Sequence, residues 1–312
     1  MVSNRCEGDE NAMKLVSFMR PHGYVLGVLT SRGILDVEAA KRRLNFDDVP
    51  TTIDQVFAAD SSKSLEKLAA LVDKAMAENP SPSELLDEAS VTLGPCVPAT
   101  NKVICVGTNY RKHALESNMP IPTVPVLFSK FSNALCGHGA EVRIPAGLGD
   151  AAQCDYEAEL ALVIGKSGKD IAQSDALDYV AGYCNANDVS SRQLQFTTTQ
   201  WLLGKTCDGF CPIGPYLVTS DEVADPNHLD IRCYLNGEQR QNSNTSDMIF
   251  DCQSIISYIS KYVTLSPGDV ILTGTPEGVL LGLPEGERFW LKSGDTVVVE
   301  VEGLGRLENR IV

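Results

Sequence analysis

A chain of 312 residues, 43% hydrophobic and 21% charged, is long enough for one large or two ordinary domains with a sizeable core. Lys and Arg number 26 against 41 Asp and Glu, a formal net charge of −15, which argues against nucleic acid as the main partner because neutralising phosphates takes clustered cations. No apolar run reaches the roughly 18 residues of a membrane span, and the opening residues lack a basic stretch followed by an apolar one; a soluble protein without a membrane partner is expected, cytoplasmic, with a mitochondrial location as the alternative.

Residues 1–12 are polar and are expected to form a disordered tail. Met13 opens an apolar alternation, and MKLVSFMRPHGYVLGVLTSRGILDV reads as two or three short strands with turns at 21–23 and 31–33. SSKSLEKLAALVDKAMAENP has helical spacing: Leu65, Leu68, Ala69, Val72 and Met76 make one stripe, and Pro80 follows its end. The loops ENPSPSE and LGPCVPATN then separate a small β-rich N-terminal domain over 13–98 from a larger domain over 99–312. The larger part is rich in strands: KVICVG, YEAELALVIG, PIGPYLVT, LDIRCYLNGE, GDVILTGTP and the hairpin GDTVVVEVEGLGRLENRIV. ALDYVAGYCNAND reads as a helix running into a strand, and MIFDCQSIISYISKYV as a helix with Ile249, Cys252, Ile256 and Ile259 on one side. Strands and helices do not alternate regularly, and neither G-x-G-x-x-G nor a P-loop is present, so a doubly wound parallel sheet is excluded in favour of an α+β fold, predominantly β, around a mixed or antiparallel core. The ten cysteines are scattered without a C-x-x-C pair; Cys207 and Cys211 are a weak metal or redox signal, and all are expected to be reduced, mostly buried thiols.

In CDYEAELALVIGK, Asp155, Glu157 and Glu159 occupy every second position at the mouth of an apolar strand, which would put all three on one face. Three readings compete: a solvated edge strand whose charges block sheet-to-sheet pairing, salt bridges to arginines elsewhere, or oxygen ligands converging on a hard cation such as Mg²⁺. A third ligand must come from elsewhere, and NANDVSSRQLQ offers Asp188.

These segments occur in a distinctive order. VGTNYRKHALES, DYEAELALVIGK, NANDVSSRQLQ, QWLLGKTCDGFCPIGP, LNGEQRQNSNTSDMIF and GDVILTGTPEGV together resemble the fumarylacetoacetate hydrolase superfamily over about residues 100–312. The resemblance implies a mixed β-sheet roll for the C-terminal part and, through a weaker match, the small β-rich N-terminal domain. It implies a divalent cation, Mg²⁺ or Mn²⁺ and in some members Ca²⁺, held by Glu157, Glu159 and Asp188, with Asp155 beside the ligands rather than among them. Some members carry a further aspartate ligand upstream; PVLFSKFSNAL has no acid there, so three protein ligands are expected.

His113 and Glu116 are three apart and share a face on a helical turn. The plain reading is a surface pair; the chemical one is a carboxylate fixing the imidazole tautomer so that the other nitrogen serves as a general base. The resemblance favours the second, because the two match a family dyad on a short lid segment. It also places Lys205, otherwise a snorkelling surface lysine, beside the metal. Arg192 and Gln195 follow Asp188 and can reach an acidic substrate; Arg240 and Gln241 are weaker candidates. Thr275 sits at a turn where its N–H and hydroxyl can bind a carboxylate, although a plain turn is an equal reading. His138 reads as structural, and His22 and His228 show no partner. The resemblance implies a 2-oxo or 2,4-dioxo acid substrate and a homodimer. The expected reaction is hydrolysis of a C–C bond in an acylpyruvate, with water activated by His113 and Glu116. The alternatives are an oxaloacetate decarboxylase, a 2-oxo acid isomerase or tautomerase on the same site, and a non-catalytic module stabilised by its metal.

Overall fold

A computed structural model describes residues 13–58 and 61–312; the expected tail over 1–12 lies outside the described residues. The first apolar alternation forms an antiparallel meander, β1 (Lys14–Arg20), β2 (Gly23–Thr30) and β3 (Gly33–Asp36). Asp36 caps the short helix α1 (Val37–Leu44) by accepting from Ala39 N. In α2 (Ser61–Ala77) the buried stripe is rotated from the expected one: Leu68, Leu71, Val72 and Ala75 are deep, whereas Leu65 and Met76 are half-buried. The reason is tertiary: α1, the short helix Ile53–Phe57 and the sheet all pack against it, and Leu71 joins their common core.

The elements that carry the site follow: β4 (Val103–Gly107), α3 (Arg111–Glu116), β5 (Val126–Lys130), β6 (Cys154–Asp155), β7 (Ala158–Ile164), β8 (Val180–Asn187), β9 (Ser190–Ser191), α4 (Arg192–Gln195), α5 (Leu202–Lys205) and β10 (Cys211–Thr219). Then come β11 (Asp230–Leu235), β12 (Glu238–Asn244), α6 (Cys252–Ser260), β13 (Val270–Leu272), β14 (Thr296–Val301) and β15 (Arg306–Ile311). Helix α6 is shorter than its apolar periodicity predicts, because Asp251 accepts from Ser254 N and starts it after Met248–Phe250 have passed.

An eleven-stranded mixed sheet runs β3-β2-β1-β10-β8-β7-β13-β4-β5, with Leu85–Leu86 beyond β3 and Leu135–Cys136 alongside β10. β1 pairs with β10, so the N-terminal meander continues the sheet of the later residues, and β13 runs parallel to β4. A five-stranded sheet, β12-β11-β14-β15 with Glu141–Val142, covers one face. Side-chain alternation sorts β7 between the faces. Leu160, Leu162 and Ile164 pack towards Leu235, Val297, Val299 and Val301 of the second sheet and Ile256 of α6. Ala161 and Val163 pack on the other face, with Leu68 and Leu71 of α2. The observed class is therefore α+β and predominantly β. Among the described residues no helix is long and apolar enough to cross a membrane, and the described cysteines are free thiols, mostly buried.

Asn185 of β8 couples the two sheets. Its Nδ2 donates to Gly214 O at 3.0 Å and Leu304 O at 3.1 Å, and its Oδ1 accepts from Val301 N at 2.6 Å. Replacing it by leucine leaves those buried groups unpaired, each at a cost of about 1–3 kcal/mol. Asn185→Leu is therefore expected to lower unfolding free energy by about 3 kcal/mol or more, read as a shift of the urea midpoint relative to wild type.

Candidate metal centre and acid–base site

The run from Cys154 to Ile164 is not one strand. β6 pairs with β9, the chain leaves the ladder at Tyr156 and Glu157, and β7 begins at Ala158. This corrects the expectation that Asp155, Glu157 and Glu159 share one strand face. It also excludes the solvated edge, since all three carboxylates are buried. The break sends Asp155 elsewhere: it accepts from the N–H groups of Tyr156, Leu280 and Leu281 and receives Arg192 through Nε at 3.0 Å and Nη2 at 2.8 Å. Glu157 is set against Asp188 by the backbone: Asp188 N donates to Glu157 O at 2.9 Å, and Glu157 N donates to Asn187 Oδ1 at 3.0 Å. Ligand oxygens of Glu157, Glu159 and Asp188 then lie within 4.8 Å of one another.

Each pair of such charges repels by about 3–4 kcal/mol at an effective dielectric near 20, so the cluster needs cations. Three buried side chains supply them. Arg192 Nη2 is 2.7 Å from Glu157 Oε1 as well as bonded to Asp155. Lys205 Nζ donates to Glu157 Oε2 at 2.7 Å and Asp188 Oδ2 at 2.9 Å. Lys130 Nζ lies 2.6 Å from Asp188 Oδ1. It donates, however, to the carbonyls of Val189, Lys205 and Phe210. An ammonium has three hydrogens; with all three on carbonyls, Lys130 meets Asp188 as a charge, and Oδ1 accepts no directed hydrogen bond. Burial pushes the Glu157 carboxyl up, but Lys205 and Arg192 outweigh it and hold the group at about 2. Burial also raises Glu159 well above the usual carboxylate range, and Asp188 and Glu157 push it the same way against the N–H of Gly274. Burial lowers Lys205, but Asp188 and Glu157 prevail and keep it charged.

The donor set is thus one cation short, and the shortage falls on Glu159, which no lysine or arginine among the described residues contacts directly. Together with the unsatisfied Oδ1 of Asp188, this fits a hard divalent ion, which takes carboxylate oxygens and offsets their repulsion. Glu157, Glu159 and Asp188 would hold it. Gly274 N donates to Glu159 Oε2 at 2.6 Å. Only glycine serves there, because φ is +102° and a Cβ would come 2.8 Å from that of Asn109.

His113 and Glu116 lie on α3, at the end of the loop after β4. Asn109 anchors that loop: its Nδ2 donates to Phe250 O and Thr273 O, and its Oδ1 accepts from Phe250 N. His113 Nδ1 is 2.9 Å from Glu116 Oε1, and Glu116 is held in turn by the N–H of Gly278. A carboxylate on Nδ1 selects the Nδ1–H tautomer and leaves the Nε2 lone pair for a substrate. Glu157, Glu159, His113, Arg192, Lys205 and Thr275 face one small cavity of about 50 Å³, walled by Phe128 and Trp201. Gln195 also lines it, its Oε1 accepting from Arg192 Nη1. Of the candidate ligands, acid–base groups and first-choice substrate contacts, all border the cavity except Asp188, which lies beneath, and Glu116, which supports His113. Arg240 does not: its guanidinium lies over Phe289. Gln241 is buried behind Thr275, donating to its Oγ1 at 2.9 Å and accepting from Ala158 N. His138 is structural, accepting from Glu308 N, but His22 and His228 do have acidic neighbours, Glu38 at 3.5 Å and Asp225 at 2.7 Å. Sequence reasoning missed Lys130, the one basic residue in PVLFSKFSNAL; a charge within an otherwise apolar strand was the available signal.

Residues 102–312 match the family model described as fumarylacetoacetate (FAA) hydrolase C-terminal. The chain is 42% identical over 307 residues to human oxaloacetate tautomerase FAHD2A, mitochondrial, covering 96% of this chain and 92% of that protein. Among solved structures, it is similar to 2-hydroxyhepta-2,4-diene-1,7-dioate isomerase from Mycobacterium marinum, at 32% identity and a TM-score of 0.68, covering 96% of this chain and 98% of that one. It is also similar to maleylpyruvate hydrolase from Sphingobium sp. SYK-6 in complex with manganese(II) and pyruvate, at 29% identity and a TM-score of 0.74, covering 96% and 99%. With its ordered motifs, its fold and two thirds of its length matched, the chain belongs to the fumarylacetoacetate hydrolase family.

Proposed function

We propose that the protein is a divalent-metal-dependent tautomerase of a small 2-oxo acid, with oxaloacetate as the first substrate to test. This is the alternative weighed at the outset and not the C–C hydrolase favoured there. The observation that carries it is the 42% identity to an oxaloacetate tautomerase across nearly the whole chain. The cavity is consistent with it, being small and lined by cationic and hydrogen-bonding groups suited to a compact acid. That relative is mitochondrial by name, which favours the mitochondrial alternative over the cytoplasm.

Interconversion of enol and keto forms moves one proton between the oxygen at C2 and the carbon at C3. His113, with Nδ1–H committed to Glu116, gives and takes that proton through Nε2. The Lys205 ammonium steadies negative charge on the C2 oxygen, and Thr275 and Gln195 donate to a substrate carboxylate. Phe128 and Trp201, packed edge to face with centroids 5.4 Å apart, limit water at that side of the cavity. A divalent cation, Mg²⁺ or Mn²⁺, supplies Lewis acidity towards the 2-oxo acid when bound. Hydrolysis of an acylpyruvate remains the second reading, because the same His113 can activate water and a structural relative is a maleylpyruvate hydrolase.

Two experiments test this. Purified protein with Mg²⁺ or Mn²⁺ is expected to accelerate loss of the ultraviolet absorbance of enol-oxaloacetate, and His113→Ala to lower that rate by about 10²–10⁴-fold; enol decay at the uncatalysed rate alongside rapid pyruvate release from acylpyruvates would sink the tautomerase in favour of the hydrolase. Removing the metal with EDTA is expected to lower the melting temperature and abolish turnover, and adding Mn²⁺ to restore both. Glu159→Gln should keep the fold yet lose the Mn²⁺-dependent rise in melting temperature.

A further inference from the structure

The two buried lysines at the site are held in different ways. Lys130 is fixed by three backbone carbonyls, groups for which a metal at the carboxylates does not compete. Lys205 donates only to Glu157 Oε2 and Asp188 Oδ2, and no carbonyl among the described residues accepts from it. It therefore bridges two of the three carboxylates that form the metal centre and acts there as the internal counterion. Its Nζ also lies 5.0 Å from the centroid of Phe128, whose ring faces the cavity. The backbone beneath is pinned: a Cβ at Gly204 would come 2.5 Å from Gln195 N, so any movement belongs to the lysine side chain and not to α5.

We propose that Lys205 and the divalent cation are alternative counterions for Glu157 and Asp188, so that loading the metal turns the Lys205 ammonium out of the carboxylates and into the cavity. The inference rests on the reading of Glu157, Glu159 and Asp188 as cation ligands. Two positive charges sharing the same oxygens repel, and a divalent ion brings twice the charge within reach of all three carboxylates where the lysine reaches two. The face of Phe128, already 5.0 Å from Nζ, keeps its cation–π contact as the ammonium turns. In that position Lys205 meets the substrate oxyanion or carboxylate, so a metal-free site has no free cation to offer an acid and a loaded one does. Metal occupancy and substrate binding become coupled through one side chain.

The sign of a single change separates this from the ordinary alternative. A lysine that merely orients metal ligands helps the metal, and its removal costs affinity, commonly about 10–100-fold. A lysine that competes hinders it. Titrating MnCl₂ into the full chain by calorimetry is expected to show Lys205→Met binding about tenfold more tightly than wild type, the same scale with the opposite sign; equal or weaker binding overturns the proposal. Wild type supplies a second measurement that does not depend on how the variant folds. Reductive methylation with formaldehyde and borane, read by mass spectrometry, is expected to leave Lys205 protected in EDTA and to modify it in MgCl₂, while Lys130 stays protected in both. Protection of Lys205 that is unchanged or stronger with Mg²⁺ overturns the proposal. If wild type binds neither Mn²⁺ nor Mg²⁺ in the calorimeter, the metal centre itself is refuted and the competition falls with it; if it binds and the variant gains nothing, only the competition falls.

Discussion

Everything at this site follows from burying four carboxylates within reach of one another. Moving a charge from water into protein costs several kcal/mol even after relaxation, and Asp155, Glu157, Glu159 and Asp188 are all buried. The fold meets this with Lys130, Arg192 and Lys205, drawn from three separated segments and directed at the same place. Those contacts explain local features that look arbitrary in isolation. The chain breaks between β6 and β7 so that Asp155 faces Arg192 while Glu157 faces Asp188. β8 ends where it does so that Asp188 N can bond to Glu157 O. The left-handed glycine at 274 exists to bring an N–H to Glu159.

Counted with every carboxylate ionised, three cations against four anions leave one negative charge in excess, and a bound divalent ion would turn this into one positive charge in excess. The protein as a whole carries −15 and repels anionic metabolites at long range. On the proposed reading, the loaded cavity would attract a carboxylate to an otherwise acidic molecule. The same count explains why Glu157 and Glu159 titrate in opposite directions although they lie two residues apart: the first has two cationic partners, the second an amide and its anionic neighbours. Position along a strand did not decide their chemistry; the source of the countercharge did.

How much of this was legible in the sequence depended on the range of the interactions. Strands such as β7, β14 and β15 follow from runs of β-branched and aliphatic residues whose two-residue period is local, and the sequence is enough to find them. The face of α2 that is buried is not local, because its tertiary neighbours decide it, and the stripe inferred from periodicity alone was rotated to include Leu65 in place of Leu71. The juxtaposition of Glu157, Glu159 and Asp188, and the His113–Glu116 contact, were expected from sequence because their residue types and order are distinctive. Lys130 was not: a lysine in a short apolar strand looks like any solvent-facing cation until β5 is seen beside the 188–189 turn. Arg240 and Gln241 erred for the complementary reason. Their polarity suggested substrate contact, but one lies over Phe289 and the other ties Ala158 to Thr275.

On the proposed reading, the choice between moving a proton and breaking a carbon–carbon bond lies outside the carboxylate cluster, which could serve either. It depends on what stands next to His113 Nε2 when substrate is bound. If that neighbour is C3 of the acid, the imidazole shuttles a proton and the carbon skeleton is untouched; if a water intervenes, the same nitrogen makes a nucleophile. Glu116 acts identically in each case, because its bonds to His113 Nδ1 and Gly278 N fix only the tautomer and the ring's orientation. On this reading the outcome depends on the space around α3 and on the walls of Phe128 and Trp201, which border the same cavity as His113. Proteins similar to this chain are named a tautomerase, an isomerase and a hydrolase, so membership of the family leaves the reaction undecided, and on this reading the packing around the charged residues decides it.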